Sequence, residues 1–179
     1  MISLSLSPSL SQVLSNVGKT QANGTTIDYG SLIWLTLQRA ASAREAIDTM
    51  VALCEAYGYA SAMEGFSIAD ADEVWYMELL GKGELGDGVL YVALRVPDGY
   101  VSAHANQARI TTFPHDDPEN TRFAPDLLAF ARRAGYYPHD APDAAFDFSA
   151  AFNPISFHGA RYGEVRVWDF FRRAVPGFE

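Results

Sequence analysis

EGFSIADADEVWYMELLGKG (residues 64–83) and RVPDGYVSAHANQARI (residues 95–110) hold the alternation from which the architecture follows. Residues 66–69 and 74–80 are apolar-rich runs on either side of Asp70-Ala71-Asp72-Glu73, a cluster of turn formers, and predict a β-hairpin. Residues 81–88, GKGELGDG, read as a glycine-rich connection. VLYVALRV (residues 89–96) is nearly all apolar, which predicts a third strand buried on both faces. Pro97-Asp98-Gly99 is a turn, because Pro fixes φ and Gly supplies a positive one. Residues 100–110 then predict a fourth strand. In that strand Ser102, His104, Asn106 and Ala108 would face one way, and Ala103, Ala105, Gln107 and Arg109 the other. Four kinds of polar side chain within six positions suit a site, and an amide such as that of Asn106 can be held rigidly where negative charge develops. The same pattern equally suits a buried polar network that pins strand register.

Helical patterns flank these runs. Asp28 is a good N-cap, and Leu32, Ile33, Leu35 and Leu37 follow it, so a helix is expected towards Ala40. Ser42 and Glu45 have the spacing of a capping box. Ala46, Ile47, Met50, Val51, Cys54 and Tyr57 recur at helical intervals, and Gly58 closes the helix. Two antiparallel helices joined by a very short turn are expected. Downstream, residues 113–120 read as loop and residues 124–133 as a helix ended by Gly135. Residues 136–149 are rich in Pro and Asp and are expected to wrap the surface. Residues 166–175, RVWDFFRRAV, form a short amphipathic helix. A helix pair, then strands, then helices is an α+β order.

The totals exclude several classes. A net charge of −9 without a Lys/Arg cluster argues against nucleic acid, since nothing is present to neutralise phosphates. No apolar run approaches the ~20 residues of a membrane span. The single cysteine, Cys54, excludes an internal disulfide and falls on an apolar helical stripe, where it reads as a buried small hydrophobe. Residues 1–27 read as an irregular Ser-rich leader without the basic start of a signal peptide, and residues 28–179 as the domain. Residues 81–88 lack the ending and context of a phosphate loop. His115-Asp116-Asp117 and His139-Asp140 lack the spacing of a metal site and read as surface loops, so no metal or cofactor is expected. Glu64 and Glu78 are placed near strand ends, with nothing to mark them as an acid/base pair. No compartment is assigned.

EGFSIADADEVWYMELLGKG followed by VALRVPDGYVSAHANQARI closely resembles the core of the dipeptidase-A and secernin family of cysteine peptidases. TLQRAASAREAID (residues 36–48) and SFHGARYGEVRVWDFFRRAVP (residues 156–176) resemble flanking segments of the same family. The resemblance implies an N-terminal-nucleophile hydrolase with an αββα sandwich of antiparallel sheets, here incomplete. It implies cleavage of dipeptides or short peptides through a cysteine acyl-enzyme, with Asn106 at the oxyanion or substrate amine, Arg109 on a carboxylate and His104 in support. The strand parity above would put Arg109 opposite Asn106. Family members begin their mature chain with the nucleophilic Cys, and Met1-Ile2-Ser3 stands here instead. The expectation is therefore a fragment of the catalytic domain without its nucleophile, inactive alone. The alternative is an inactive peptide-binding or interaction module. The aromatic tail and an open sheet edge are expected to favour self-association.

Overall fold

The computed structural model describes residues 3–8 and 26–177. Five strands form one antiparallel sheet in sequence order: β1 (Ser3–Pro8), β2 (Glu64–Ala69), β3 (Val74–Gly81), β4 (Val89–Val96) and β5 (Thr121–Phe123). Before the β2–β3 hairpin come α1 (Tyr29–Leu37) and α2 (Ala43–Tyr57). After β5 come α3 (Leu127–Arg133), α4 (Phe148–Phe152), α5 (Phe157–Gly159) and α6 (Val165–Ala174), with a π-helical turn (Ala160–Glu164) joining the last two. Helix mixed with antiparallel sheet is the α+β class expected from the element order.

Local signals hold where their bonds are local. The Asp28 carboxylate accepts from the Ser31 N–H at 2.7 Å and starts α1. Ser42 Oγ accepts from the Glu45 N–H at 3.2 Å. The reciprocal bond differs from a standard capping box, because Glu45 accepts from Ala41 N–H at 2.8 Å, one residue before the cap. Gly58 ends α2 at φ 70, where a side chain would be strained. The hairpin pairs Ala69 with Val74 across a turn in which Asp70 Oδ1 accepts from the N–H groups of Asp72 and Glu73.

Side chains alternate across the sheet into two cores. Phe66, Ile68, Trp75, Met77 and Ala93 face α1 and α2, where Leu32, Ile47, Met50 and Cys54 close the layer. Tyr76, Leu80, Leu90 and Val92 face the opposite way, onto Ile110, Phe113, Phe130, Phe146, Phe148 and Phe152. Each fully buried Phe contributes about 1.5–3 kcal/mol of hydrophobic stabilisation.

Three expectations are corrected. Ser3–Pro8 is a strand and not irregular leader, paired from Ser3↔Ala69 to Pro8↔Glu64. Its Ser/Leu alternation is a period-two pattern, and the free edge of β2 supplies the ladder that the segment lacks alone. The rest of the leader as far as residue 25 lies outside the described residues. Residues 136–149 do more than wrap the surface, because Phe146 and Phe148 are fully buried in the second core.

The third correction concerns residues 100–110, which form no strand. The edge of β4 is taken by β5 instead, with Val92 opposite Phe123 and Leu94 opposite Thr121. Residues 101–110 cross the second face of the sheet, reversed sharply where Gln107 N–H donates to Ala105 C=O at 2.7 Å. Two of their N–H groups, those of Arg109 and Ile110, find another partner, the carboxylate of Glu78.

Candidate functional site

Within VWYMELLG of β3, Glu78 is a carboxylate inside an apolar run, and parity sends it to the same face as Tyr76. It is interior to the strand and not near its end, and only 1% exposed. Its Oε1 accepts from the Tyr76 hydroxyl at 2.7 Å and from the Arg109 N–H at 2.6 Å. Its Oε2 accepts from the Ile110 N–H at 3.3 Å. Burial pushes the Glu78 carboxyl up to about 7, although Tyr76, the two N–H groups and the Arg109 charge all favour its ionised form. Burial, with Glu78 beside it, likewise raises the Tyr76 phenol well above its ordinary value.

The hydroxyl of Tyr76 reaches over β2 because residue 65 is glycine: a Cβ there would stand 2.7 Å from that oxygen. His104 packs on the same tyrosine, ring centroids 4.7 Å apart, and its Nε2 shares a hydrogen bond of 2.7 Å with Ser67 Oγ. Burial, aided by the Arg109 charge, lowers the His104 pKa and favours the neutral ring. Its Nδ1 is buried without a partner.

Beyond Glu78 the segment reaches the C-terminal helical rod. Arg109 Nη1 pairs with Glu164 Oε2 at 2.6 Å, leaving Glu164 Oε1 buried and unpartnered. Arg166 Nη2 donates to Asn106 Oδ1. Asn106 and Arg109 therefore both meet the segment around residues 164–166, and the opposition expected from strand parity does not arise. Gln107 fastens the same contact. It is buried, donates from Nε2 to Asn153 C=O at 2.7 Å, and lies against two glycines. A Cβ on Gly159 would fall 2.0 Å from Gln107 Oε1, and one on Gly163 would fall 2.9 Å from Gln107 Cβ. Glu164 ends the π-helical turn, a local widening that recurs at functional positions.

Three open clefts of about 340, 470 and 300 Å³ each include Arg109 in their walls. The first is apolar beyond the ion pair, through Val165, Val167, Trp168 and Phe171. The second adds Asp147, Ser149 and Ile155. The third runs along Leu94, Pro97, Tyr100 and Ile110. Glu164 lines the first two, so a cation and an anion stand side by side where clefts meet. Such a pair can receive a ligand that carries both charges.

Of the residues singled out from sequence, His104, Asn106 and Arg109 share this region, though on different partners. Tyr76, Glu78, Ser67, Glu164 and Arg166 were not singled out as site residues. Only Glu78 carried a sequence signal, a charge inside an apolar strand. Glu64 lies on the opposite face, beside the first core, with its carboxyl pushed by burial up to about 8. Cys54 is fully buried there too, and burial pushes its thiol up to about 12. Among the described residues, no three His, Cys, Asp or Glu side chains are grouped to hold a metal ion, and no helix is long and apolar enough to cross a membrane.

The model of peptidase family C69 matches residues 4–179. A probable dipeptidase of Salmonella dublin is 32% identical over 154 residues, covering 85% of this chain and 33% of that protein. Dipeptidase A of Lactobacillus helveticus is 29% identical over 147 residues, covering 82% of this chain and 29% of that protein. A probable dipeptidase of Latilactobacillus sakei is 28% identical over 146 residues, covering 82% and 28% respectively. The chain spans about a third of the length of the curated relatives it matches.

Proposed function

The chain belongs to peptidase family C69, and on that premise we propose that its Arg109–Glu164 region binds dipeptides or short peptides for hydrolysis. The observation that carries this reading is the ion pair itself, 2.6 Å long and bordered by clefts. A dipeptide is a zwitterion whose extended length is about 7 Å, short enough to present both ends to one such region. Arg109 takes the carboxylate in place of Glu164, and Glu164 takes the ammonium in place of Arg109. Asn106 contacts the peptide carbonyl or amine, and His104, held on Ser67 and Tyr76, supports the wall.

The chemistry proposed is that of a cysteine-type dipeptidase working through an acyl-enzyme, with this five-stranded sheet as one layer of an αββα sandwich. The one thiol of this sequence is Cys54, which burial keeps protonated in the core on the other face of the sheet. These residues therefore supply substrate contacts and not the nucleophile. That observation favours a second reading, a module that binds peptides without cleaving them.

Calorimetric titration with an unmodified dipeptide, its N-acetyl form and its C-terminal amide tests the first claim. Blocking either end is expected to weaken binding by roughly 10- to 100-fold, the worth of one hydrogen bond to a charged group. Equal affinity for all three would refute the assignment. Release of free amino acids from a dipeptide in proportion to purified chain would exclude the binding-only reading.

A further inference from the structure

We propose that Glu78 is the positioning residue of this site: its carboxylate substitutes for a neighbouring strand and holds the backbone of Arg109 and Ile110 against the sheet. The role for substrate rests on the reading of Arg109 above; the role for the chain rests on geometry alone.

Residues 101–110 cross the sheet's second face without a strand ladder to hold them. In place of that ladder, two successive N–H groups, those of Arg109 and Ile110, converge on one side chain. A third donor, Tyr76 O–H, fills the remaining acceptor position on Oε1. Three donors require an acceptor-only partner, and an ionised carboxylate is the side chain with two oxygens and no hydrogen to offer. Glutamine has the same shape but turns an NH2 group towards one of these donors. The arrangement extends to β2, where Gly65 leaves room for the tyrosine hydroxyl.

Holding the Arg109 backbone sets where its guanidinium starts, and the side chain then spans from the sheet to Glu164. The titratable and charged groups around Glu78 are Tyr76 on its own strand, Arg109 on the crossing segment, and Glu164 reached through Arg109. His104 stands against the Tyr76 ring, centroids 4.7 Å apart. None of these supplies Glu78 with a direct ion pair, so its partners are dipoles, and its hold depends on keeping the charge.

Amide hydrogen exchange on the intact ¹⁵N-labelled chain tests the role directly. Glu78→Gln is expected to speed exchange at Arg109 and Ile110 by about tenfold or more, the loss of a charge-assisted hydrogen bond, with Met77 and Val92 nearly unchanged. Equal acceleration at all four amides, or none at Arg109 and Ile110, would overturn the proposal. Should Glu78→Gln not fold, the wild-type chain decides. The Arg109 and Ile110 amide protons must shift together as pH crosses the carboxyl's titration, and amide protons that stay still would refute it.

A calorimetric arm reads the consequence for ligand. In the wild-type chain a free dipeptide binds more tightly than its C-terminal amide; in Glu78→Gln that preference is expected to shrink by about tenfold. A residue that only stabilised the fold would leave the preference intact. If the wild-type chain binds neither peptide, the dipeptide reading fails, while exchange still decides whether Glu78 holds the segment.

Discussion

Replacing Glu78 with glutamine removes a titration whose sign is unusual for a carboxylate. Burial moves the group from its ordinary 4.5 up to about 7, so the folded chain binds this proton more tightly than the unfolded chain does. Stability contributed by the protonated form is fully present below about 4.5 and is lost as pH rises through 7. A displacement of that size corresponds to about 3 kcal/mol. Asp70 and Glu73 act in the opposite sense and at lower pH, since backbone N–H donors hold the first below its usual value and Arg44 the second. Glu64, buried and raised to about 8, adds a slope of the same sign. Urea unfolding of wild type and Glu78→Gln at pH 4.5, 5.5, 6.5 and 7.5 separates these groups, because the difference between the two proteins cancels what they share. The wild type is expected to lose about 3 kcal/mol relative to the variant across that range. Parallel curves would refute the reasoning, and a residual slope in both would belong to groups the two proteins share, Glu64 in the same sense and His104 in the opposite one. Glu78 is thus asked to be charged where its protonated form would stabilise the fold more, as expected of a group kept for its three donors.

Gly65→Ala places a methyl against the Tyr76 hydroxyl, 2.7 Å away, and is expected to cost about 1–3 kcal/mol and to loosen Arg109 through the lost Tyr76–Glu78 bond; thermal unfolding with amide exchange at Arg109 measures both. Cys54 is expected to resist a thiol-specific reagent in the native chain and to react promptly in urea, since it is fully buried with its thiol at about 12; rapid native labelling would contradict that burial.

The hairpin of β2 and β3, the strand β4 and the caps of α1 and α2 were legible residue by residue, because the caps bond within a few positions and each of these strands pairs with its neighbour in sequence. Asp28 reaches Ser31 and Ser42 reaches Glu45, whatever lies farther along the chain. The buried state of Cys54 was legible for the same reason, as helical spacing puts it on the apolar stripe. Ser3–Pro8 was misread because an edge strand is judged by its own composition, whereas its order comes from β2, some sixty residues on.

The candidate site divides along the same line. That His104, Asn106 and Arg109 belong together was readable from their density, but their orientation was not. Alternation in residues 100–110 fits a strand, and nothing nearby says that β5 takes the edge of β4 first. Glu164 and Arg166 meet Arg109 and Asn106 across more than fifty residues, with no local pattern to announce them. Period and capping follow from each residue's own backbone, so they could be read in order along the chain. The partner of a buried charge is whatever the packed chain brings within hydrogen-bonding reach of it, and for Glu78 that was two backbone N–H groups from a segment about thirty residues away.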